Sequence, residues 1–215
     1  MTSRRSGATW VAVWAAMGGG AAALGAQDYA TVDREWEMRL AISAGPLAVS
    51  QQADVWVMGP EGFERAIEGS NGWACIVVRS AGAPKSLAPH CLNPYAVGSV
   101  LPAFLLEGRL QAQGMGAEAI LQEMNRQWET GQLPIPSGPA YAYMLSAGQR
   151  LGPNEVQFKP HFMLYVPYAT NESIGGDPGR HEFPFVGPVE GVPLSTVVIV
   201  MDEFVDPADV VLPGS

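Results

Sequence analysis

The stretch DVWVMGPEGFERAIEGSNGWACIVV, residues 54–78, decides the fold class that we expect for this chain. It holds three short runs rich in β-branched and aromatic residues, and turn-forming residues such as Gly59-Pro60 and Asn71-Gly72 separate the runs. Such runs are typical of β-strands, and Asn-Gly is a strong signal of a tight hairpin. The stretch therefore predicts a meander of three antiparallel strands.

Helical patterns lie on both sides of this meander. Residues 31–44 place apolar side chains at spacings of three and four, and Gly45-Pro46 ends the pattern. Further along, Pro102 marks the first turn of a second helix, and residues 117–128 form a third. Between the meander and these helices, residues 80–94 are rich in Pro, Ala and Gly, and we expect them to be irregular.

The last third of the chain returns to strand patterns. We predict strands over residues 141–145, 156–166 and 194–201, and a long loop rich in Gly and Pro over residues 168–192. The order of strands, helices and strands predicts an α+β fold. We expect a mostly antiparallel sheet of about six strands, with the helices packed on one face.

The first 26 residues have the pattern of a cleavable signal peptide. Arg4 and Arg5 supply a positive start, an apolar run follows over residues 8–24, and small residues crowd positions 21–26. A membrane span needs about 20 apolar residues, whereas this run is shorter and is interrupted by glycines at positions 18–20. A retained anchor and a cytosolic helix are the alternatives.

Residues 27–215 are predicted to form one soluble exported domain in the periplasm or outside the cell. Gln27 stands where a bacterial lipoprotein carries its lipidated cysteine. We therefore expect no lipid anchor, and no transmembrane helix after cleavage.

The charge of the chain excludes some partners. Its formal net charge is −9, and because residues 1–26 contain two arginines and no acidic residue, residues 27–215 carry −11. Nucleic acids and anionic lipid surfaces would repel such a domain. We expect a small molecule or a protein as the partner, and no nucleic acid.

Cys75 and Cys91 are the two cysteines of the chain. An even number of cysteines in an exported protein indicates a disulfide, which we expect between them. Two free buried thiols, or metal ligands together with His90, are the alternatives.

His161 is the main candidate for a binding site. In the predicted strand 156–166, His161 and Tyr165 share one face, because successive side chains of a strand alternate. If the neighbouring strand presents Tyr143 to the same side, the three side chains line a polar aromatic strip for a small molecule. The alternative is a half-buried histidine that is hydrogen-bonded to a tyrosine.

No catalytic residue can be assigned from motifs. His161 is a weak candidate for a general base, with Asp202 or Glu203 to orient it. The chain has no nucleophile elbow, P-loop or dinucleotide-binding motif, and its histidines lack the spacing of zinc hydrolases. We expect no metal and no cofactor.

Four segments together resemble a family of uncharacterised exported bacterial proteins. They are GSNGWAC (69–75), CLNP (91–94), AYMLSAGQ (142–149) and PHFMLYVPY (160–168). The resemblance implies export and singles out Cys75, Cys91 and His161, but it implies no activity.

The function remains unknown at this point, and three hypotheses stay open. The first is a non-enzymatic exported domain that binds a small molecule or a partner at the cell envelope. The second is a secreted hydrolase or isomerase with His161 as general base, and the third is an envelope structural protein. A pocket that holds His161 beside a carboxylate would favour the enzyme.

Overall fold

A computed structural model describes residues 28–212, so the predicted signal peptide lies outside the described residues. Six α-helices, eight strands and one short 3₁₀ helix (Pro207–Asp209) form an α+β fold, as predicted. In chain order the elements are α1 (Arg34–Ile42), α2 (Leu47–Ser50), β1 (Asp54–Gly59), β2 (Gly62–Ile67), β3 (Ala74–Ser80), β4 (Ala83–Leu92), α3 (Pro94–Ser99), α4 (Leu101–Ala112), α5 (Ala117–Glu129), β5 (Tyr141–Met144), β6 (His161–Tyr165), α6 (Asn171–Ile174), β7 (Phe185–Val186) and β8 (Thr196–Val200).

The sheet has eight strands in the order β2-β1-β3-β4-β5-β6-β8-β7. The prediction of about six strands was too low, because β4 lies in the segment expected to be irregular and β7 lies in the expected loop 168–192. The sheet is also mixed, since β1 and β3 run parallel while the other neighbours run antiparallel.

The predicted three-stranded meander is wrong at the Asn71-Gly72 turn. The chain does not fold β3 back against β2 there, but crosses the start of β1 and pairs β3 with the other side of that strand. The Asp54 carboxylate accepts the backbone N–H of Gly69 at 2.7 Å, and the Asp54 N–H donates to the carbonyl of Trp73 at 2.8 Å. A Cβ at Gly69 would overlap the backbone of Ala53, so this crossing requires glycine.

Strand β4 contains Pro84 and Pro89, and these prolines made it hard to predict from the sequence. Pro89 pairs with Val77 of β3, but β5 reaches only Cys91 and Leu92 on the other side of β4. Pro89 therefore lies where β5 does not demand a backbone donor, and proline is tolerated at such positions.

Helices cover both faces of the sheet, which contradicts the expected packing on one face. Ala74, Ile76 and Leu92 pack with residues of α3 and α4, and we call this side the α4 face. Cys75 and Val77 pack with residues of α1, and we call this side the α1 face. Both faces of β3 are buried, as its continuous apolar sequence requires.

A buried ion pair fastens α1 to the sheet. Arg79 and Glu37 are almost fully buried, and Nη1 of Arg79 lies 2.6 Å from Oε1 of Glu37. The same carboxylate oxygen accepts the N–H of Met58 at 3.0 Å, and Nε of Arg79 donates to the carbonyl of Ala30 at 2.9 Å. These bonds satisfy both charges and hold the segment before α1 in place.

The predicted disulfide between Cys75 and Cys91 is confirmed. The two residues lie directly opposite each other on β3 and β4, and both are fully buried on the α1 face. Disulfides persist in oxidising compartments, and this bond indicates that the domain works in one. Among residues 28–212, no helix is long and apolar enough to cross a membrane.

Candidate functional site

An apolar cleft of about 410 Å³ lies on the α4 face, over strands β5, β6 and β8. Strands β5, β6 and β8 form its floor. One wall is the irregular segment before β6, and the other is the edge strand β7 with the residues that follow it. The floor residues are Met144, His161, Met163, Thr196 and Val198. The wall residues are Leu151, Gly152, Val156 and Phe158 on one side and Phe185, Gly187 and Pro188 on the other.

The first wall, which we call the flap, is residues 151–158. Leu151 and Val156 exchange two backbone hydrogen bonds of 2.8 and 3.1 Å, and this pairing closes a tight turn. Gly152 and Glu155 in the turn both have positive φ values, 68° and 51°. The flap therefore keeps its shape through its own backbone, and Leu151, Val156 and Phe158 project into the cleft.

The second wall, residues 185–188, is held by the side chain of Asn171. Its Oδ1 accepts the N–H of Val186 at 2.8 Å, and its Nδ2 donates to the carbonyl of Val186 at 3.2 Å. Glu190 accepts a further bond from Nδ2 at 2.7 Å. The side chain of Asn171 therefore orders part of the segment 168–192, which was predicted to be a loop.

His161 lies buried in the floor of the cleft, opposite Met144 on β5. Its Nδ1 is 2.8 Å from the carbonyl oxygen of Lys159. Because a carbonyl oxygen can only accept, Nδ1 carries the proton, and Nε2 of the neutral ring presents a lone pair. Burial lowers the pKa of His161, and the bond to Lys159 opposes this only in part. The ring is therefore neutral at neutral pH.

A cluster of aromatic rings lies beside His161 at the cleft. Phe158 meets the His161 ring edge-on at 5.3 Å and the His181 ring at 5.1 Å. His181 in turn stacks on Phe185 at 5.2 Å. The sequence did not predict Phe158, His181 and Phe185 as neighbours of His161. Alternation in the predicted strand 156–166 put Phe158 on the opposite face, but β6 begins only at His161. For His181 and Phe185 the signal was the unusual length of the loop 168–192.

Tyr165 and Tyr143, the other predicted binding residues, do not join His161 in one strip. Tyr165 shares the α4 face with His161 but is buried outside the cleft. Tyr143 pairs with Phe162, so its side chain lies on the α1 face and stacks on Trp73 at 6.0 Å. A register that differs by one residue reverses the face of a strand side chain, and this separates Tyr143 from His161.

No carboxylate among the described residues lies within hydrogen-bond distance of His161. Asp202 and Glu203 were the two acids expected to orient it. Asp202 lines a separate open depression together with Lys159, His181 and Glu182, and neither acid lines the cleft. Nor does the described part of the chain contain a group of three or more His, Cys, Asp or Glu side chains that could hold a metal ion.

His90 provides an internal comparison for His161. It lies on the α4 face of β4, its Nδ1 is 2.7 Å from the carbonyl oxygen of Ala88, and burial lowers its pKa to about 4. Its ring packs against Phe104 of α4 at 5.1 Å and does not line the cleft. The two histidines thus share burial and hydrogen bonding, but only His161 borders a cavity of ligand size.

Family models, curated proteins and solved structures show no significant match to this chain. The resemblance to exported bacterial proteins stays a prediction.

Proposed function

We propose that this protein is a non-enzymatic exported domain, periplasmic or extracellular, that binds a small and mainly apolar molecule in the cleft over β5, β6 and β8. The observation that carries the proposal is the composition of the cleft. Apart from His161 and Thr196, its lining side chains are apolar.

The size and shape of the cleft suit a small ligand. Pockets for small molecules measure about 300–1,000 Å³ and combine apolar walls with a few polar groups. The cleft, at about 410 Å³, falls in the lower part of this range. Each buried apolar Å² of ligand contributes about 25 cal/mol to binding, so contact with both walls supplies most of the driving force.

The rival hypothesis, a hydrolase or isomerase with His161 as general base, receives less support. In such enzymes a carboxylate beside the histidine stabilises the imidazolium that forms. His161 instead donates to the neutral carbonyl of Lys159, and its lowered pKa makes protonation harder. A ring that resists protonation suits a hydrogen-bond acceptor better than a base.

The third hypothesis, an envelope structural protein, predicted an exposed apolar patch with no pocket. The presence of a walled cleft favours binding over that role. Export is supported by the predicted signal peptide and by the Cys75–Cys91 disulfide, which suits an oxidising compartment.

Titration with the uncharged dye Nile red tests the proposal. We expect saturable binding of one dye molecule per chain, and about tenfold weaker binding after Val156→Trp, because an indole at this exposed position of the flap obstructs the mouth of the cleft. Val211→Trp is the matched control, since Val211 is an exposed valine outside the cleft. Equal binding by both variants, or no saturable binding by the unaltered protein, would overturn the proposal.

A further inference from the structure

Resting on the proposed function, we propose the chemical class of the ligand: an uncharged, largely apolar molecule with one hydroxyl or N–H group that donates a hydrogen bond to Nε2 of His161.

The direction of this hydrogen bond follows from the backbone. The Lys159 carbonyl oxygen accepts a hydrogen bond from Nδ1 of His161, and this bond keeps the proton on Nδ1. Nε2 is the remaining polar atom of the ring, and in the neutral ring it can only accept. A ligand that offers only acceptor atoms, such as an ether or ketone, therefore leaves Nε2 without a partner.

The lining of the cleft excludes a charged head group. His161 is the one ionisable side chain among the twelve lining residues, and Thr196 supplies the other polar side chain. Moving an ion from water into such surroundings without an opposite charge is far more costly than moving a neutral polar group. A carboxylate would also face the lone pair of Nε2, which repels it.

The burial of the lining residues gives the ligand an orientation. Val156 and Pro188 are exposed and mark the mouth of the cleft, whereas His161 and Met163 are buried in the floor. A molecule that reaches Nε2 therefore enters with its donor group first and leaves its apolar part between the flap and the second wall.

Three probes test this class: 1-decanol, its isomer nonyl methyl ether, and decanoate. We expect 1-decanol to bind at least about fivefold more tightly than the ether, which corresponds to one hydrogen bond, and decanoate to bind more weakly than either. All three are titrated against the same protein in competition with Nile red, at a pH near 7.

Two substitutions test whether the preference for 1-decanol over the ether depends on His161. His161→Phe removes the acceptor, so we expect the preference for 1-decanol over the ether to disappear. His90→Phe makes the same change at a buried histidine that does not line the cleft, and the preference should persist. Should His161→Phe fail to fold, the ratio of alcohol to ether affinity in the unaltered protein decides the question.

The outcomes separate the ligand class from the binding function. If Nile red binds in the cleft but 1-decanol shows no preference over the ether or decanoate, the ligand class is overturned and the binding function stands. If neither Nile red nor any of the three probes binds, both are overturned.

Discussion

His161 donates from Nδ1 to the carbonyl oxygen of Lys159 across 2.8 Å, and this bond sets the chemistry of the cleft. It fixes the tautomer of the ring and leaves Nε2 as an acceptor in apolar surroundings. His90 makes the equivalent bond to Ala88 at 2.7 Å. His161 also acts electrostatically on His90 and contributes to its lowered pKa, but only His161 lines the cleft.

The two buried histidines should make the fold sensitive to acid. The unfolded chain binds protons near the ordinary histidine pKa of 6.5, but folded His90 binds one only near pH 4, so stability is complete above pH 6.5 and falls as the pH drops towards 4. The lowered pKa of His90 alone should reduce the unfolding free energy by about 3 kcal/mol between pH 6.5 and pH 4. The lowered pKa of His161 adds to this loss.

Urea unfolding at several pH values measures this dependence. His90→Phe should lose stability less steeply below pH 6.5 than the unaltered protein, because the titrating group is gone while the carboxylates common to both remain. Equal slopes for the two proteins would contradict burial as the cause.

The disulfide should stabilise the domain. Cys75 and Cys91 are 16 positions apart, and constraining a loop of this length in the unfolded chain is worth about 3 kcal/mol. A reductant should lower the unfolding free energy by this amount, and it should have no effect on the Cys75→Ala/Cys91→Ala double variant. Thiol labelling of unfolded, unreduced protein that modifies both cysteines would rule out the bond.

The buried ion pair should matter far more than an exposed one. Glu37→Gln leaves the Arg79 charge buried without a partner, and we expect a loss of about 3–5 kcal/mol in urea unfolding. The matched control is Glu64→Gln, because Glu64 pairs with Arg34 at the surface and should contribute no more than about 1 kcal/mol. Similar losses for both variants would show that burial of the pair is not decisive.

The hydroxyl of Tyr165 should contribute nothing to stability. It is buried and has no hydrogen-bond partner in the described part of the chain, and this burial raises its pKa. Removing such a group relieves a desolvation cost. Tyr165→Phe should therefore leave the free energy of unfolding, measured in urea, unchanged or raise it by up to about 1 kcal/mol. A loss of 1 kcal/mol or more would reveal an ordered water as its partner.

The sequence predicted the elements that have strong local signals. The helices α1, α4 and α5 follow the apolar spacing, and β1, β2 and β3 follow their β-branched and aromatic runs. Pairing was harder to predict, because the position of β3 beside β1 depends on a crossing at Gly69 and not on the Asn71-Gly72 signal alone.

Among the residues that line the candidate cleft, the sequence singled out only His161. Alternation within one strand correctly placed His161 and Tyr165 on the same face. The face of Tyr143, however, depends on the register between β5 and β6, which no local pattern specifies. The flap and the wall held by Asn171 are irregular segments whose long-range contacts cannot be read from periodicity.

The most direct test of the central claim is the NMR spectrum of protein carrying ¹³C-labelled methionine methyl groups, titrated with 1-decanol. Met144 and Met163 line the cleft, whereas the comparably buried Met124 belongs to α5 and packs in a separate cluster. A ligand bound in the cleft should cause saturable shifts of the Met144 and Met163 signals while the Met124 signal stays in place. Unchanged Met144 and Met163 signals up to the solubility limit of 1-decanol, or equal shifts at all three methionines, would contradict it.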